Sequence, residues 1–476
     1  MELLEHWGEW LGRLGTALWS GPMALLFLGT GLYLTVRLRG RPLRCLGYCL
    51  RETLGKALGR GKAKAGPGEV SPFQALCAAL GGSIGTGNVA GVTAAITLGG
   101  PGALFWIWVS AAVGMTTKYA EVLLAMRWRR RERGGAYAGG AMYYITGGLG
   151  RRALPLAVVF ALGGCGAAFA GGGGVQAGNI AAALSPVMDA SGHDGASRLA
   201  LGLVLAALAA VVLLGGAARL GAVCQYLVPL MGLLYLTGCL YVILCRLPAL
   251  PHVLREVAVG AFCPEAAAGG AAGIGLRETL SWGLRRGLFS HEAGLGSSPM
   301  IHASSQERDP ARQGLYGVCE VFVDTVVVCS ATGLCLLCAG LDLPYGEMGT
   351  VAWNVKALGT VFGTGAAEWF LAVSLTLFAF SSILTWGVYG QRCWAWLTGG
   401  RWGRGYVLLF SLCTVLGTVG SLEAAWAAAD LGNALMALPN LLALCLLARQ
   451  AAALTNRHFL RKETHISRGS HNSKQK

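Results

Sequence analysis

Eleven long apolar stretches decide what this chain can fold into. Each is close to the roughly 20 residues that a helix needs to cross the hydrocarbon core of a bilayer. Charged residues make up 13% of the 476 residues, against about 25% in an ordinary soluble domain. The pattern predicts an all-α polytopic membrane protein with about 11 transmembrane helices, and it argues against a soluble enzyme or a disordered chain. The predicted spans are 20–36, 72–97, 101–126, 153–184, 199–217, 221–246, 258–284, 314–340, 361–390, 405–421 and 424–448.

The basic residues predict how these spans are oriented. If all eleven cross the bilayer, most of the 38 Lys and Arg residues fall in loops on one side, with Arg285 and Arg286 among them. Cytoplasmic loops of membrane proteins carry an excess of Lys and Arg. The sequence therefore predicts a multi-pass protein of the plasma or inner membrane, with its N-terminus outside and its C-terminus in the cytoplasm. These loops account for the net charge of +15, so no nucleic-acid partner is expected.

Glycine clusters interrupt two of the predicted spans. The second span contains ALGGSIGTGNVAG at residues 79–91, and the seventh contains Gly269, Gly270, Gly273 and Gly275. Glycine weakens a helix, and lipid tolerates irregular backbone only where it is buried in protein or lines a cavity. Two interrupted helices in corresponding positions, five spans apart, indicate an inverted-repeat transporter with its ligands bound at the breaks. A glycine-rich face for tight helix packing is the alternative explanation of the first cluster.

The breaks also predict how the chain is divided. Residues 1–70 are expected to form an extra N-terminal transmembrane helix and a basic cytoplasmic loop. Residues 71–450 form the transporter core, with a first repeat at 71–247 and a second at 258–450, and residues 451–476 form a basic cytoplasmic tail. The sequence shows no cluster of catalytic carboxylates, no His/Cys metal set and no activated nucleophile, so an integral-membrane enzyme is not expected.

Several sequence blocks resemble one family of transporters. The third span begins GGPGALFWIWVSAAVG at 99–114, and IGTGNVAGV precedes it. Further blocks are KYAE (118–121), RGLFSHEAGLGSSP (286–299), FVDTVVVCSATG (322–333), LFAFSSILTWGVYGQRC (377–393) and ADLGNALMALPNL (429–441). Together they resemble the alanine/glycine:cation symporters from about residue 20 to 450. Ile107 stands where that family usually has Met, and His291 stands where it usually has Asn.

The resemblance implies the leucine-transporter-type fold, in which ten core helices form a 5+5 inverted repeat with discontinuous first and sixth core helices. It implies a secondary symporter that imports small neutral amino acids such as alanine or glycine by alternating access, with Na⁺ as the coupling ion and no other cofactor. The partners would be a small neutral amino acid, Na⁺ and the lipid bilayer. The alternatives are a proton-coupled or glutamine-selective carrier and an amino-acid sensor that does not transport.

The resemblance also assigns residues to a zwitterionic substrate. The amides of Thr86 and Gly87 would bind its carboxylate, and the lack of a Cβ at Gly85 would permit close approach. Asn88, in the same glycine-rich stretch, is a further substrate candidate. Gln176 and Trp386 are candidates on other spans, with interhelical hydrogen bonding and simple packing as the alternatives. The ammonium group would bind the carbonyls of Ser83, Gly269, Gly270 and Ala271.

The sodium assignment follows the same resemblance. Ser381, Ser382 and the Phe378 carbonyl are the expected ligands from the ninth span. The carbonyls of Gly81 and Ile84 are expected opposite them. The alternative for the two serines is a hydrogen bond back to their own helix. A second ion that uses Ser83 and Asn88 is also compatible with the sequence.

Charged residues inside spans are candidates for function, because a charge in lipid is costly. Lys118 and Glu121 are expected to pair along one helix face. Glu320 and Asp324 lie one turn apart on the eighth span, and Glu292 is expected in a cytoplasmic loop. For each of these residues, structural pairing and a role in transport are the two interpretations.

Overall fold

The computed structural model describes residues 22–58, 70–132, 135–189, 194–263 and 274–473. Within them the chain is almost entirely helical, and β1 (Arg130–Arg131) pairs with β2 (Tyr137–Ala138) in a short antiparallel ribbon. The helices of the first part are α1 (Pro22–Arg37), α2 (Arg41–Arg44), α3 (Leu46–Leu58), α4 (Pro72–Ser83), α5 (Gly87–Gly99), α6 (Ala103–Trp128), α7 (Ala141–Gly148), α8 (Leu154–Ala167), α9 (Gln176–Asp189), α10 (Asp194–Leu213) and α11 (Gly216–Cys245). The helices of the second part are α12 (Leu250–Gly260), α13 (Leu276–His291), α14 (Pro299–His302), α15 (Pro310–Val321), α16 (Ser330–Cys338), α17 (Val351–Phe362), α18 (Thr364–Thr398), α19 (Gly403–Val419) and α20 (Leu422–Ser473). Segments of π-helix join α8 to α9 at Ala168–Val175 and α15 to α16 at Phe322–Cys329.

The outer surface fits a lipid environment. Six of the described helical segments are long and apolar enough to cross a membrane, and the bent pair of α4 and α5 is a seventh. Leucines on the outward faces of α10 and α11 are widely exposed, with Leu208 at 50% and Leu230 at 63%. Such a surface is unfavourable in water and costs nothing against lipid tails. The chain is a helical membrane protein, as predicted, while the count of eleven spans and the inverted repeat remain predictions.

The second predicted span is broken where its glycines lie. α4 begins with a capping box, in which Ser71 and Gln74 satisfy each other's backbone amides, and Pro72 occupies its first position. α4 ends at Ser83, Ile84 is extended, and α5 leaves at an angle of 58° to α4. The bend leaves the last carbonyls of α4 and the first amides of α5 without helical partners. The predicted interruption of this span is confirmed.

A second break lies at residues 292–298, between α13 and α14. Glu292 has a left-handed backbone with φ of 52°, and Gly294 and Gly296 have φ of 100° and 76°. These backbone angles end α13 at His291, because a right-handed helix cannot continue through them. The sequence did not predict this break.

The predicted position of the seventh span is wrong on its C-terminal side. A cytoplasmic loop was expected from Arg285 onward, but α13 continues through Arg285 and Arg286 to His291. Arg286 lies against α5, since a Cβ on Gly91 would be 3.6 Å from its Cδ. Arg286 therefore packs beside the first half of α5. Hydropathy treats arginine as a loop residue, but its long stem can follow apolar surface while the guanidinium reaches a polar cleft.

The break that was predicted in the seventh span falls mostly on residues of undescribed structure. Gly269, Gly270 and Ala271 lie outside the described residues. Of that glycine cluster, Gly275 is described, and it is the residue immediately before α13.

Glycines allow two helical segments to touch through their backbones. Gly417 of α19 lies directly against Gly174 of the Ala168–Val175 segment, and a Cβ on Gly417 would overlap the Gly174 carbonyl. Small residues at such contacts let helices approach closely and gain dispersion energy in a membrane. Part of the glycine content, outside the two predicted breaks, is therefore explained by helix packing.

The last helix continues past the predicted core. α20 extends to Ser473 with Pro439 inside it, so the expected tail is helical up to that residue. Arg41 donates a hydrogen bond to Asn456, and His458 hydrogen-bonds Asp309 at the N-cap of α15. Burial acts to raise the pKa of Asp309, but the hydrogen bond and charge of His458 outweigh it and lower that pKa. The helix is thus anchored to α2 and to the start of α15.

Candidate functional site

A cavity of about 450 Å³ opens beside the break between α4 and α5. Its walls come from both sides of that break, from the Ala168–Val175 segment and α9, from α13, and from α18 and α20. Most of the predicted substrate residues that are described line it: Ser83, Gly85, Thr86, Gly87, Gln176 and Trp386. The structure therefore brings together residues that are far apart in sequence and that the resemblance assigned to one ligand.

The start of α5 borders this cavity. A Cβ on Gly87 would meet no atom within 4 Å, so open space lies next to the first amides of the helix. Asn179 Nδ2 donates to Thr86 Oγ1 at 3.1 Å, which fixes the threonine side chain. Backbone amides at a helix N-terminus bind anions well, because they carry a partial positive charge and lack helical partners. The arrangement is suited to a carboxylate.

Three buried polar atoms on the cavity wall have no hydrogen-bond partner among the described residues. They are Ser83 Oγ, at the end of α4, Gln176 Oε1, at the start of α9, and Asn433 Oδ1, on α20. An unsatisfied buried polar group costs about 1–3 kcal/mol. Native structures retain such groups mainly where a ligand, an ion or water completes them. These atoms therefore mark the cavity as a place where a polar ligand would be stabilised.

Glu292 is a cavity residue that the sequence led us to expect elsewhere. It is 6% exposed and lines the cavity, where its Oε1 accepts a hydrogen bond from Trp386 Nε1 at 3.1 Å. Its Oε2 accepts from Ser297 Oγ at 2.6 Å. The expectation that Glu292 lies in a cytoplasmic loop is wrong. The spacing of Gly294 and Gly296, which matches that of Gly85 and Gly87 in the first break, was a signal that could have located it.

Oppositely charged side chains face each other elsewhere on the cavity wall. Arg285 and Arg286 on α13 interact electrostatically with Asp430 on α20. Trp282 and Trp426 come from the same two helices and also line the cavity. Electrostatic attraction between these charged side chains therefore links α13 to α20. The two tryptophans add aromatic surface to the same part of the cavity.

The predicted sodium ligands are close together in the structure. Ser381 Oγ lies 3.0 Å from the Gly81 carbonyl oxygen and 2.9 Å from that of Phe378. Ser382 Oγ lies 3.2 Å from the same Gly81 oxygen. All are uncharged oxygen donors, the kind that hard cations prefer, so the residues fit a sodium ion. Ser381 also makes the bond to its own helix that was the alternative interpretation. Ile84, the remaining predicted ligand, is a buried residue at the end of α4.

Asn88 does not line the cavity, because it is fully buried behind the first break. Its Oδ1 accepts from the Gly85 amide at 2.9 Å, and its Nδ2 donates to Asp324 Oδ1 at 2.8 Å. Asp324 also accepts hydrogen bonds from Ser290 and Thr325, both at 2.7 Å. Asn88 therefore ties the break to α13 and to the segment Phe322–Cys329, and Asp324 is the centre of that network.

The buried charges near α6 pair differently from the prediction. Lys118 Nζ contacts Glu320 Oε1 at 3.0 Å, and the expected pair of Lys118 with Glu121 is not formed. His302 Nε2 lies 3.0 Å from Glu320 Oε2, and Ser298 donates to the same oxygen at 3.1 Å. Glu320, on α15, comes within ion-pair distance of Lys118, whereas Glu121 is on the same helix as the lysine and does not pair with it. A structural role, which was one of the two interpretations, explains this pair.

Glu121 has a different function in the fold. Its Oε1 accepts hydrogen bonds from the amides of Gly294 and Gly296, both at 3.0 Å, and from Asn440 at 2.6 Å. It thus holds the second break in place. His291, which departs from the family pattern, is fully buried, and its Nδ1 accepts from the Ala293 amide at 3.1 Å.

Comparison with known proteins identifies the family of this chain. The model of the sodium:alanine symporter family matches residues 4–472. A protein described as an uncharacterized transporter from Haemophilus influenzae is 40% identical over 455 residues, 95% of this chain and 96% of that protein. The sodium/alanine symporter AgcS of Methanococcus maripaludis is 37% identical over 432 residues, 90% of this chain and 92% of its own. The probable sodium/glutamine symporter GlnT of Bacillus subtilis is 32% identical, with 94% and 89% covered.

A solved structure has the same fold. The crystal structure of MhsT in complex with L-phenylalanine aligns with a TM-score of 0.55 and 16% identity, covering 80% of this chain and 97% of that one. The identity is low, so the likeness concerns the fold alone, which is that of the leucine-transporter type. The match of the family model over nearly the whole chain and the full-length relatives lead to one conclusion. The chain belongs to the sodium:alanine symporter family, whose members are transporters.

Proposed function

We propose that this protein is a sodium-coupled symporter that imports small neutral amino acids, such as alanine or glycine, by alternating access. The observation that carries the proposal is the set of three buried polar atoms without a hydrogen-bond partner among the described residues, Ser83 Oγ, Gln176 Oε1 and Asn433 Oδ1, on the wall of a cavity at a broken helix. A zwitterion supplies both the donors and the acceptors that such a wall requires. An ordinary packing cavity would be apolar.

The substrate is proposed to lie across the two breaks. Its carboxylate binds the amides of Thr86 and Gly87 at the start of α5. Its ammonium binds the Glu292 carboxylate, with Ser83 and Gln176 as further acceptors. The cavity supports this orientation because a helix N-terminus and a carboxylate lie on the same wall. Charge-assisted hydrogen bonds at both ends would orient the amino acid. Trp386, which donates to Glu292, is proposed to position that carboxylate.

The coupling ion is proposed to bind between α4 and α18. Its ligands are the hydroxyls of Ser381 and Ser382 and the carbonyls of Gly81, Ile84 and Phe378. The two hydroxyls now donate to carbonyl oxygens, and they would rotate to present their lone pairs to the ion. Because the ion binds at the end of α4 and the amino acid at the start of α5, each would stabilise the same geometry of the break. Each ligand must then increase the affinity for the other by the same factor.

The remaining architecture is part of the same proposal. Eleven spans, a 5+5 inverted repeat at 71–247 and 258–450, an extra helix before it, and an N-terminus outside the cell fit an alternating-access carrier. If the second interrupted helix is the one broken at residues 292–298, the proposed inverted repeat still has one interrupted helix in each half. Both breaks would then border one cavity.

Carriage of a different ion or substrate is the second candidate. The relatives include proteins described as a probable sodium/glutamine symporter and as a putative sodium/proton-dependent alanine carrier. Two fully or nearly buried carboxylates, Glu292 and Asp324, lie at or next to the cavity. A proton-coupled carrier needs such a group. A sensor that binds an amino acid without moving it would use the same cavity.

Uptake of radiolabelled L-alanine into proteoliposomes tests the proposal. An inward sodium gradient should drive accumulation, and a matched potassium gradient at equal pH on both sides should not. Uptake that ignores sodium and follows a pH gradient would support proton coupling instead. Binding of alanine without any flux would identify a sensor, and stronger competition by glutamine than by glycine would identify a glutamine carrier.

A further inference from the structure

A second cleft, of about 1200 Å³, lies on the face of the protein where α4 begins. Three connections surround it: the β1–β2 ribbon, the turn between α10 and α11, and the turn between α18 and α19. The face is identified by contacts of the ribbon, since Ser304 Oγ donates to the Tyr137 carbonyl and Val70, just before α4, bridges to Ser305. The transport cavity lies elsewhere, and the two share no lining residue.

The cleft carries an excess of positive charge. Arg130, Arg131, Arg392 and Arg401 line it, and one acidic residue, Glu132, is among the lining residues. Glu132 pairs with Arg392, with 3.2 Å between Nη1 and Oε2. The charges of Arg130 and Arg401 are not balanced by a carboxylate among the described residues that line the cleft. A concave surface with low-dielectric walls concentrates that field and attracts anions.

Two helices also begin at this cleft. Gly215 and Gly216, at the start of α11, and Gly403, at the start of α19, are lining residues. Neither helix has a side-chain hydrogen bond at its N-cap, which is Gly215 in α11 and Trp402 in α19. Uncapped N-termini present amide donors and a partial positive charge, which together favour a phosphate group. The first backbone amides of α11 and α19 lie beside the arginines. They add directional hydrogen bonds to the electrostatic attraction that the arginines exert on an anion.

The residues at the edge of the cleft are typical of the membrane interface. Trp394, Trp396 and Tyr143 line it, and aromatic side chains of this kind are enriched at the level of lipid headgroups. The indole nitrogen of Trp394 is buried and has no acceptor among the described residues. Leu214 also lines the cleft and is 65% exposed, so the apolar outer surface continues to its rim. An acyl chain could follow that surface while its headgroup occupies the cleft.

From these observations we infer that the cleft binds a phosphate-bearing anion and that the headgroup of an anionic phospholipid is its source. Basic pockets between transmembrane helices are the type of site that such headgroups occupy. A bound headgroup would bridge the ends of α18 and α11, two helices that pack against each other and meet where Tyr235 of α11 contacts Phe378 of α18, a proposed ion ligand. It would therefore stabilise the folded transporter, whatever amino acid the transport cavity carries.

The test uses the purified full-length chain in detergent. Phosphatidylglycerol, phosphatidylcholine and inorganic phosphate are titrated separately, and the unfolding temperature and the lipid adducts in native mass spectrometry are recorded. Phosphatidylglycerol should raise the unfolding temperature and remain bound, and phosphatidylcholine should do neither. An equal effect of inorganic phosphate would assign the site to a soluble phosphate compound and keep the anion site itself.

Matched variants locate the site. Arg130→Gln with Arg401→Gln removes two exposed arginines from the cleft and should weaken phosphatidylglycerol binding about 30-fold. Arg151→Gln with Arg152→Gln removes the same charge from exposed positions outside the cleft, and it should leave binding unchanged. Equal stabilisation by both lipids without a phosphate effect would overturn the inference. So would an equal loss of binding in the two double variants.

Discussion

Replacement of Glu292 by Gln tests which group binds the ammonium of the substrate. Glu292 accepts a hydrogen bond from Trp386 Nε1 at 3.1 Å and one from Ser297 Oγ at 2.6 Å. Glutamine keeps the size of the side chain, and its amide oxygen can still accept the bond from Trp386. The negative charge is what the substitution removes. The difference in alanine affinity between the variant and the wild type therefore reports the charge and not a collapse of the cavity.

The expected magnitude follows from the burial of this carboxylate. A hydrogen bond to a charged group contributes about 1.5–3 kcal/mol, and each 1.4 kcal/mol corresponds to about a factor of ten in affinity. Glu292 is 6% exposed, so water screens the interaction little. The KM for alanine should rise about 10- to 150-fold. Stability should not fall in proportion, because the change removes a buried charge and leaves no new one unpaired.

Proteoliposome uptake at saturating sodium gives the KM, and gel filtration with thermal unfolding shows that the variant is folded. Glu423→Gln is the matched control, because it makes the same charge change at an exposed position in the first turn of α20. Propionate, which lacks the ammonium, is the second control. Its weak inhibition of alanine uptake should be no weaker in the Glu292 variant. A folded variant with the wild-type KM would refute the assignment of Glu292.

The other predictions concern the ion ligands, a buried pair and a backbone contact. Replacing Ser381 and Ser382 together by Ala should raise the sodium concentration that gives half-maximal uptake, and an unchanged sodium dependence would contradict the ion assignment. Lys118→Met removes the positive charge that pairs with the buried Glu320 carboxylate, which still contacts His302 and Ser298, and should lower the free energy of unfolding by about 3–5 kcal/mol; adding Glu320→Gln should recover most of that loss in detergent unfolding experiments. Gly417→Ala forces α19 away from its neighbour and should cost about 1–3 kcal/mol, measured as a lower unfolding temperature; an unchanged temperature would show that the contact is loose.

The membrane class and the helices were predictable because they depend on local composition. The span predicted at 101–126 corresponds to α6, Ala103–Trp128. The span predicted at 221–246 corresponds to α11, Gly216–Cys245, and extends one residue past its end. A helix in lipid must be apolar over the width of the bilayer. A run of neighbouring residues is therefore enough to predict it. The first break was predictable for a similar reason, since glycines at 81–87 weaken the helix where it bends.

The second break shows where this reasoning fails. Arg285 and Arg286 marked a loop by hydropathy, yet they belong to α13 and reach a polar cavity. The break that begins at Glu292 is held by Glu121, whose carboxylate accepts hydrogen bonds from the amides of Gly294 and Gly296. That carboxylate comes from a helix that precedes the break by more than a hundred residues. No local pattern around Glu292 contains it.

The sequence by itself determined that this chain is a helical membrane protein of a known transporter family, with one helix broken at its glycines. Only the tertiary structure decided which charges pair, since Lys118 forms its ion pair with Glu320 and not with Glu121, which is nearer in sequence. It also decided that Glu292 and Trp386 share one cavity wall. The physical reason is the range of the forces. Helix formation and membrane burial act on neighbouring residues, whereas a charge buried in a membrane protein is stabilised by whichever partner the packing of distant helices brings within hydrogen-bonding distance.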